Sequence, residues 1–556
     1  MRFSTVKLTL FIAAVFLSVS VGSAIAFDEV ASDAVIHRAG LKVDWSTHSG
    51  ASGRGRLVDW HLTVNEDKPT TYFTITATSP GTRTYRESFS EHKISPFGVP
   101  FGVDDAVEYC GDRKEVILAE YANDGISDVE VKIDQYTLPE STIYTLTDAG
   151  LIKSINADSG KVNWSVQVGR SRLQSVGIGA NNDYVAVING STVYCLESAS
   201  GKTLWSRPCR DGVSASPAVS QESVFVPLIS GRVEKFDIKN KGVNSSAYVS
   251  TGIGTTRPLI MEKAIAWATN RGDLNVAGRF GSRAVGYQLR TDQSIVAPPT
   301  FKDEMIFATS LDGFIYGLDA ERGSIKWQIS TGRSISQSPL PLRNFVFAIN
   351  DNKELYKVDA KTGNEAPGWE TPKPNMERFL GAGKENLYIL DATGRLQVLS
   401  QNTGQTLSSV SFGTVGKILP NTLSDRLYVA TRRGMILSVR ETSSTIPYYH
   451  SKEYVAPVET SPMKAAMENK AVKPEMQKTD LDDPFRVKGG SDDGFDENDP
   501  FKLKNKDQGK DGFDENDPFK LKNKGGVNED DPFKQQPEQG DPFGGTSSDN
   551  DPFSGT

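Results

Sequence analysis

Residues 294–329 read SIVAPPTFKDEMIFATSLDGFIYGLDAERGSIKWQI, and the order of residue types along them decides the fold. Ala297-Pro298 opens the stretch, and the apolar run Met305–Thr309 follows. Asp312-Gly313 is a tight-turn dipeptide, Phe314–Leu318 is a second apolar run, and Asp319, Glu321 and Gly323 mark another turn before Ile325 and Trp327. Short β-rich runs cut by turn residues predict strands rather than helices.

The pattern recurs. Turn glycines fall at Gly160, Gly201, Gly242, Gly281, Gly323, Gly363 and Gly404, in steps of 41, 41, 39, 42, 40 and 41. Strand-opening prolines fall at Pro217, Pro258, Pro298, Pro339 and Pro420, the last after a double step. Two residue types sharing one period of about forty residues predict an all-β propeller of four-stranded blades, because one small sheet cannot bury both its faces alone. Continuous apolar runs such as Val185–Ile188 and Phe345–Ile349 suit strands covered on both sides by neighbouring sheets. Trp164, Trp205, Trp327 and Trp369 follow their turn glycines and are read as anchors between adjacent sheets.

Lys42-Val43-Asp44-Trp45-Ser46 closely matches Lys161-Val162-Asn163-Trp164-Ser165, whereas the last repeat, Lys417–Arg440, has no Trp-bearing strand after it. The expectation is that Trp45 supplies that strand and closes the ring, removing an open sheet edge. Seven glycine repeats and this split one give eight blades; seven is the alternative if the Gly281 repeat is an insertion. The expected organisation is residues 1–26 as signal peptide, 27–134 as an N-terminal segment holding the closing strand, 135–450 as the propeller, and 451–556 as a disordered tail. Within 27–134, Tyr72–Ala77 and Val129–Ile133 read as strands and Asp104–Tyr109 as a short helix.

The start of the chain carries Arg2 and Lys7, an apolar run from Leu8 to Val21, and Ala24-Ile25-Ala26. That is the pattern of a secretory signal cleaved after Ala26, and it predicts export to the periplasm or cell envelope; an uncleaved anchor is the alternative. Export permits disulfides, and Cys195 and Cys209 flank one turn; the other reading is buried thiols.

The net charge of −8 is unevenly spread. Residues 480–556 hold 20 Asp plus Glu and 10 Lys plus Arg, a charge of −10, which leaves +2 for the remainder. Neither part has the basic surplus of a nucleic-acid binder. GFDENDPFKLKNK occurs at 494–506 and again at 512–524, and Asp-Pro-Phe occurs six times. Its phenylalanines, Phe485, Phe501, Phe519, Phe533, Phe543 and Phe553, are too scattered to form a core, so the segment reads as disordered. They are the candidate partner-binding residues. Proline lowers the ordering cost of presenting each ring, and six copies give avidity; a solubilising spacer is the other reading. Asp492–Asp499 is rich in oxygen ligands but lacks the EF-hand order of a calcium loop.

No catalytic, cofactor-binding or metal-binding residue is predicted. The histidines are His37, His48, His61, His92 and His450, which leaves the expected ring body without an imidazole. There is also no GxxxxGK loop, zinc spacing or Ser-His-Asp arrangement in the repeats.

Tyr316-Gly317-Leu318-Asp319-Ala320-Glu321-Arg322-Gly323 with Trp327, and Tyr356-Lys357-Val358-Asp359-Ala360-Lys361-Thr362-Gly363 with Trp369 two positions late, resemble the PQQ-type β-propeller repeat. The resemblance covers residues 135–440 well and 40–50 weakly. It points to BamB-like exported propellers, including the kind carried by planctomycete bacteria. Absence of any Trp-Asp dipeptide separates the chain from WD-repeat propellers. The resemblance implies a non-catalytic protein-binding scaffold of the cell envelope, with protein partners on the propeller rim and on the tail. It also implies a PQQ-dependent oxidoreductase as one alternative; a propeller face that binds carbohydrate or wall polymer is another. The quinoprotein dehydrogenases of this repeat type often carry vicinal cysteines, which this chain lacks.

Overall fold

The computed structural model describes residues 32–450 apart from 52–54, 82–83, 94, 96–98, 241 and 281–284. The expected signal peptide, Gly281 and the six Asp-Pro-Phe motifs lie outside the described residues. Eight antiparallel sheets follow one another along the chain. Each is an up-and-down meander: blade 5, for example, is Thr300–Lys302, Met305–Thr309, Phe314–Asp319 and Ile325–Ser330. The innermost strands of successive blades lie side by side around the hub. A Cβ on Gly179 of blade 2 would come 2.3 Å from the Pro217 carbonyl oxygen at the start of blade 3.

The eighth blade takes three strands from the end of the ring and its outer strand from Leu41–His48, which pairs antiparallel with Met435–Glu441. Trp45 and Trp164 therefore occupy equivalent outer strands. Between blades one contact recurs. The outer-strand aromatic gives its polar hydrogen to a carbonyl three or four residues before the turn glycine of the following blade, and at Gly160, Gly201, Gly323 and Gly363 the ring also lies on that glycine. Nε1 of Trp45, Trp164, Trp205 and Trp327 donates to the carbonyl oxygens of Ala157, Ser198, Ile238 and Ala360 at 2.8–3.1 Å. In blade 4, Tyr287 replaces tryptophan and its hydroxyl donates to Ala320 O at 2.6 Å. A large ring with one donor joins apolar burial to the satisfaction of a turn carbonyl.

Three features depart from the regular pattern. Blade 6 has only three regular strands. Trp369 arrives late, and residues 364–373 cover the outer edge through single bridges, Val358 with Glu365 and Leu355 with Lys373. Secondly, the first blade begins at Leu57, upstream of the expected boundary at 135. Its innermost strand is the first part of Leu57–Thr78, where Trp60 to Asn65 pair with Glu140 to Thr145. The repeat signal is silent there because a long insertion separates the first two strands of the blade.

The insertion is the third feature. The hairpin continues beyond the ring, where Tyr72–Ala77 pairs with Val131–Tyr136, and Tyr85–Ser90 adds an edge strand. The helix Gly102–Asn123, much longer than the six residues expected, packs Ala106, Cys110 and Ile117 against Phe73, Ile75 and Ala77. All three cysteines are thiols, so the Cys195–Cys209 bridge is not formed. Among the described residues no helix is long and apolar enough to cross a membrane.

Candidate functional site

Strand order assigns the loops to two faces. Connections between blades, and those between the second and third strands of a blade, emerge on one face. First-to-second connections, including the insertion, emerge on the other. On the former face the inter-blade loops are held by one repeated backbone bond from the middle loop. Gly190 N donates to Gln174 O, Ile229 N to Gly212 O, Asn270 N to Ile253 O, Leu311 N to Ser294 O and Asp351 N to Ser334 O, all at 2.8–3.0 Å. Five consecutive blades thus present loops of fixed shape. Leu173, Ile229, Ile253 and Val296 stand exposed on them, each by more than a third.

At the hub, a cavity of about 590 Å³ opens between the inner strands of the first blades, lined by Asp59, His61, Ser214, Thr256, Arg257 and several small apolar residues. Asp59 is reached across the hub from three blades. Its Oδ2 accepts from Ile178 N at 3.1 Å, Ser216 Oγ at 2.9 Å and Arg257 Nη2 at 2.8 Å. Arg257 also donates to Ile178 O at 2.6 Å, and its Nη1 lies 2.9 Å from His61 Nδ1. A guanidinium has only donors, so that ring nitrogen accepts and the imidazole is neutral. Burial, then the charge of Arg257, pushes His61 down to about 3 against the opposing pull of Asp59. Lys417, whose Nζ donates to Val58 O, is also lowered by burial.

His61 corrects the expectation that the ring body holds no imidazole. It was missed because its strand precedes the insertion and falls outside the forty-residue period. The alternation Trp60, Leu62, Val64 against Asp59, His61, Thr63 was the available signal. The site as built is an inter-blade clamp. The imidazole already engages a cation, which removes it from general-base duty near neutral pH. The candidate phenylalanines Phe485, Phe501, Phe519, Phe533, Phe543 and Phe553 lie outside the described residues, so none is placed in either feature.

The family model described as "Outer membrane protein assembly factor BamB" matches residues 148–406. The repeats are of the BamB-like PQQ type. The BamB-like ring is similar to the outer membrane protein assembly factor BamB of Shewanella oneidensis, at 22% identity over 268 residues, 44% of this chain and 65% of that protein. The chain thus spans just under two thirds of that relative's length. BamB of Yersinia pestis is 19% identical over 324 residues, covering 53% of this chain and 81% of the relative. Among solved structures, BamB from Moraxella catarrhalis aligns with a TM-score of 0.45 and 18% identity, covering 54% of this chain and 92% of that one.

The repeat type raises the question of a quinone, and the hub cavity does not fit one. PQQ is a planar polycarboxylate, and no Phe, Tyr or Trp side chain lines the cavity to stack on it. The cation best placed to meet a carboxylate, Arg257, is already bound to Asp59, which would repel the ligand.

Proposed function

We propose that this chain is a non-catalytic, exported scaffold of the cell envelope that binds another protein through the loop face of its propeller. The observation that carries the reading is the backbone bond repeated in five blades, which holds exposed Leu173, Ile229, Ile253 and Val296 in place. A surface ordered before binding avoids much of the entropy cost of association, and apolar side chains on rigid loops are suited to protein contact. The assembly-factor name of the relatives supports an envelope protein as partner. The hub supports a binding role too, since its titratable groups are engaged with one another.

The test is capture from envelope fractions with the full chain and with an L173S/I229S/I253S variant. The expected result is one or more envelope proteins retained by the first and lost from the second. Equal recovery by both baits would remove the loop face from the function.

A further inference from the structure

The hub cavity holds polar groups that the fold leaves without partners. Among the described residues, Ser214 Oγ, Thr256 Oγ1 and Arg257 Nε are buried and make no hydrogen bond, and all three residues line this one cavity. Thr256 is only 4% exposed. Buried polar groups in folded proteins are nearly always paired, so three orphans at one site point to an occupant. We propose that the cavity receives an uncharged, extended peptide segment of the partner protein, held through its backbone carbonyl oxygens. It rests on the loop-face reading, since the partner must bring the segment.

The position suits delivery from that face. Val296, one of the exposed residues on the pinned loops, also lines the cavity. Ser214 belongs to the connection from blade 2 to blade 3, and Thr256 and Arg257 belong to the connection from blade 3 to blade 4. The orphan groups therefore come from two successive inter-blade loops.

The chemistry of the occupant follows from which groups are free. Arg257 Nε can only donate, and each hydroxyl has a hydrogen to give. The acceptors nearby are occupied. Asp59 Oδ1 takes Trp60 N at 2.9 Å, Oδ2 takes the donors of Ile178, Ser216 and Arg257, and His61 Nδ1 faces Arg257 Nη1. On the innermost strand of blade 2, the N–H and carbonyl of Ile178 are already met by Asp59 and Arg257, so at that residue an incoming strand finds no edge to pair with. The occupant is instead read by side chains, and it must supply acceptors. The charges of Asp59 and Arg257 cancel at 2.8 Å, and Lys417 is committed to Val58 O outside the lining. An ionised ligand would therefore be desolvated without a counter-charge, whereas a carbonyl oxygen would not. The remaining walls include Val176, Val219, Leu259, Ile260, Pro298 and Pro299, which suit small aliphatic side chains. No Phe, Tyr or Trp lines the cavity to stack on a sugar or a base. An extended peptide combines aliphatic side chains with a carbonyl about every 3.3 Å.

The test is equilibrium dialysis of the full chain against tritiated Ac-Ala-Val-Ala-Val-NH2, with Ac-Ala-Val-Ala-Val-OH and maltotriose as competitors. One saturable site is expected, at which the free acid competes about tenfold more weakly than the unlabelled amide and maltotriose does not compete. S214A/T256V should weaken binding by about tenfold or more, the scale of two lost hydrogen bonds. The same variant should melt no lower than the parent, because neither hydroxyl has a partner to lose in the empty hub. A drop in melting temperature would assign the hydroxyls to the fold and overturn the proposal. So would the absence of a saturable site, equal competition by the free acid, displacement by maltotriose, or undiminished binding by S214A/T256V; none of these bears on envelope capture by the loops. The L173S/I229S/I253S variant should retain the peptide site, since none of those side chains lines the cavity. Peptide binding alongside equal envelope capture by both baits would keep the hub site and remove the loop face.

Discussion

The indole of Trp45 lies so close over Gly160 that a Cβ on the glycine would come within 2.6 Å of the ring, while its Nε1 donates to Ala157 O at 2.9 Å. Gly160 also has φ +70, where other L residues are strained. Trp45 belongs to blade 8 and Gly160 to blade 1, so this contact seals the ring.

Trp45→Ala should therefore cost about 3–5 kcal/mol, the range for emptying a buried aromatic site. Gly160→Ala should be destabilising through both collision and backbone strain. Trp45→Phe should cost about 1 kcal/mol more than Trp369→Phe, because Trp369 Nε1 has no hydrogen-bond partner to lose. Urea melts of the four variants supply the comparison, and equal midpoints for the two Phe variants would contradict the role of the Trp45 hydrogen bond.

The Asp59–Arg257 pair makes its own prediction. Either single alanine variant leaves a charge in the hub without its partner, and each should lose about 3 kcal/mol. The double variant should fall short of the sum by about 1–3 kcal/mol. A double-mutant cycle from denaturant unfolding measures the coupling; strict additivity would show that the two groups do not interact.

Acid stability follows from His61. Its folded value, about 3, lies below the unfolded value of 6.5. Above pH 6.5 both states are neutral there and the residue adds no pH dependence. Between 6.5 and 3 the unfolded chain gains a proton that the hub refuses, so stability falls by at most about 1.4 kcal/mol per pH unit. His450, lowered to about 4 by burial, acts in the same direction. Asp158 opposes them: burial raises it to about 6, so its stabilisation is full below 3.8 and is lost as pH rises through 6. His61→Asn should flatten the loss of urea midpoint between pH 6.5 and 4.5, leaving the smaller His450 and Asp158 contributions. Parallel slopes in the two proteins would refute the assignment.

The thiols supply another check. Burial pushes both Cys110 and Cys209 up to about 12, so neither is a thiolate at pH 8. Iodoacetamide at that pH should leave both unmodified in the native protein and label all three cysteines in urea without prior reduction. A native mass showing Cys195 joined to Cys209 would contradict this.

The ring was legible in the sequence because its defining residues are local and periodic. A turn glycine recurs in seven units and an opening proline in five, and the Lys42–Ser46 and Lys161–Ser165 stretches share residue types on outer strands. The blade 6 edge was half visible: Trp369 is displaced by two positions, and the strand it would have carried is replaced by bridges. The hub was not legible. Asp59, His61 and Arg257 meet across 198 residues between Asp59 and Arg257, a proximity created by ring geometry alone. The helix Gly102–Asn123 was under-read because its apolar face is narrow, with only Ala106, Cys110 and Ile117 fully buried.

One bond across the seam links Asp44 to Arg440, 396 positions apart along the chain. At ribosomal rates of about 5–20 residues per second, roughly 20–80 s separate the synthesis of its two ends. Throughout that interval the growing polypeptide has an unsatisfied strand at its leading end and no partner to offer it. Completion of the circle is therefore a late event in biogenesis, and the unfinished protein is at its most vulnerable to self-association just before the final blade emerges.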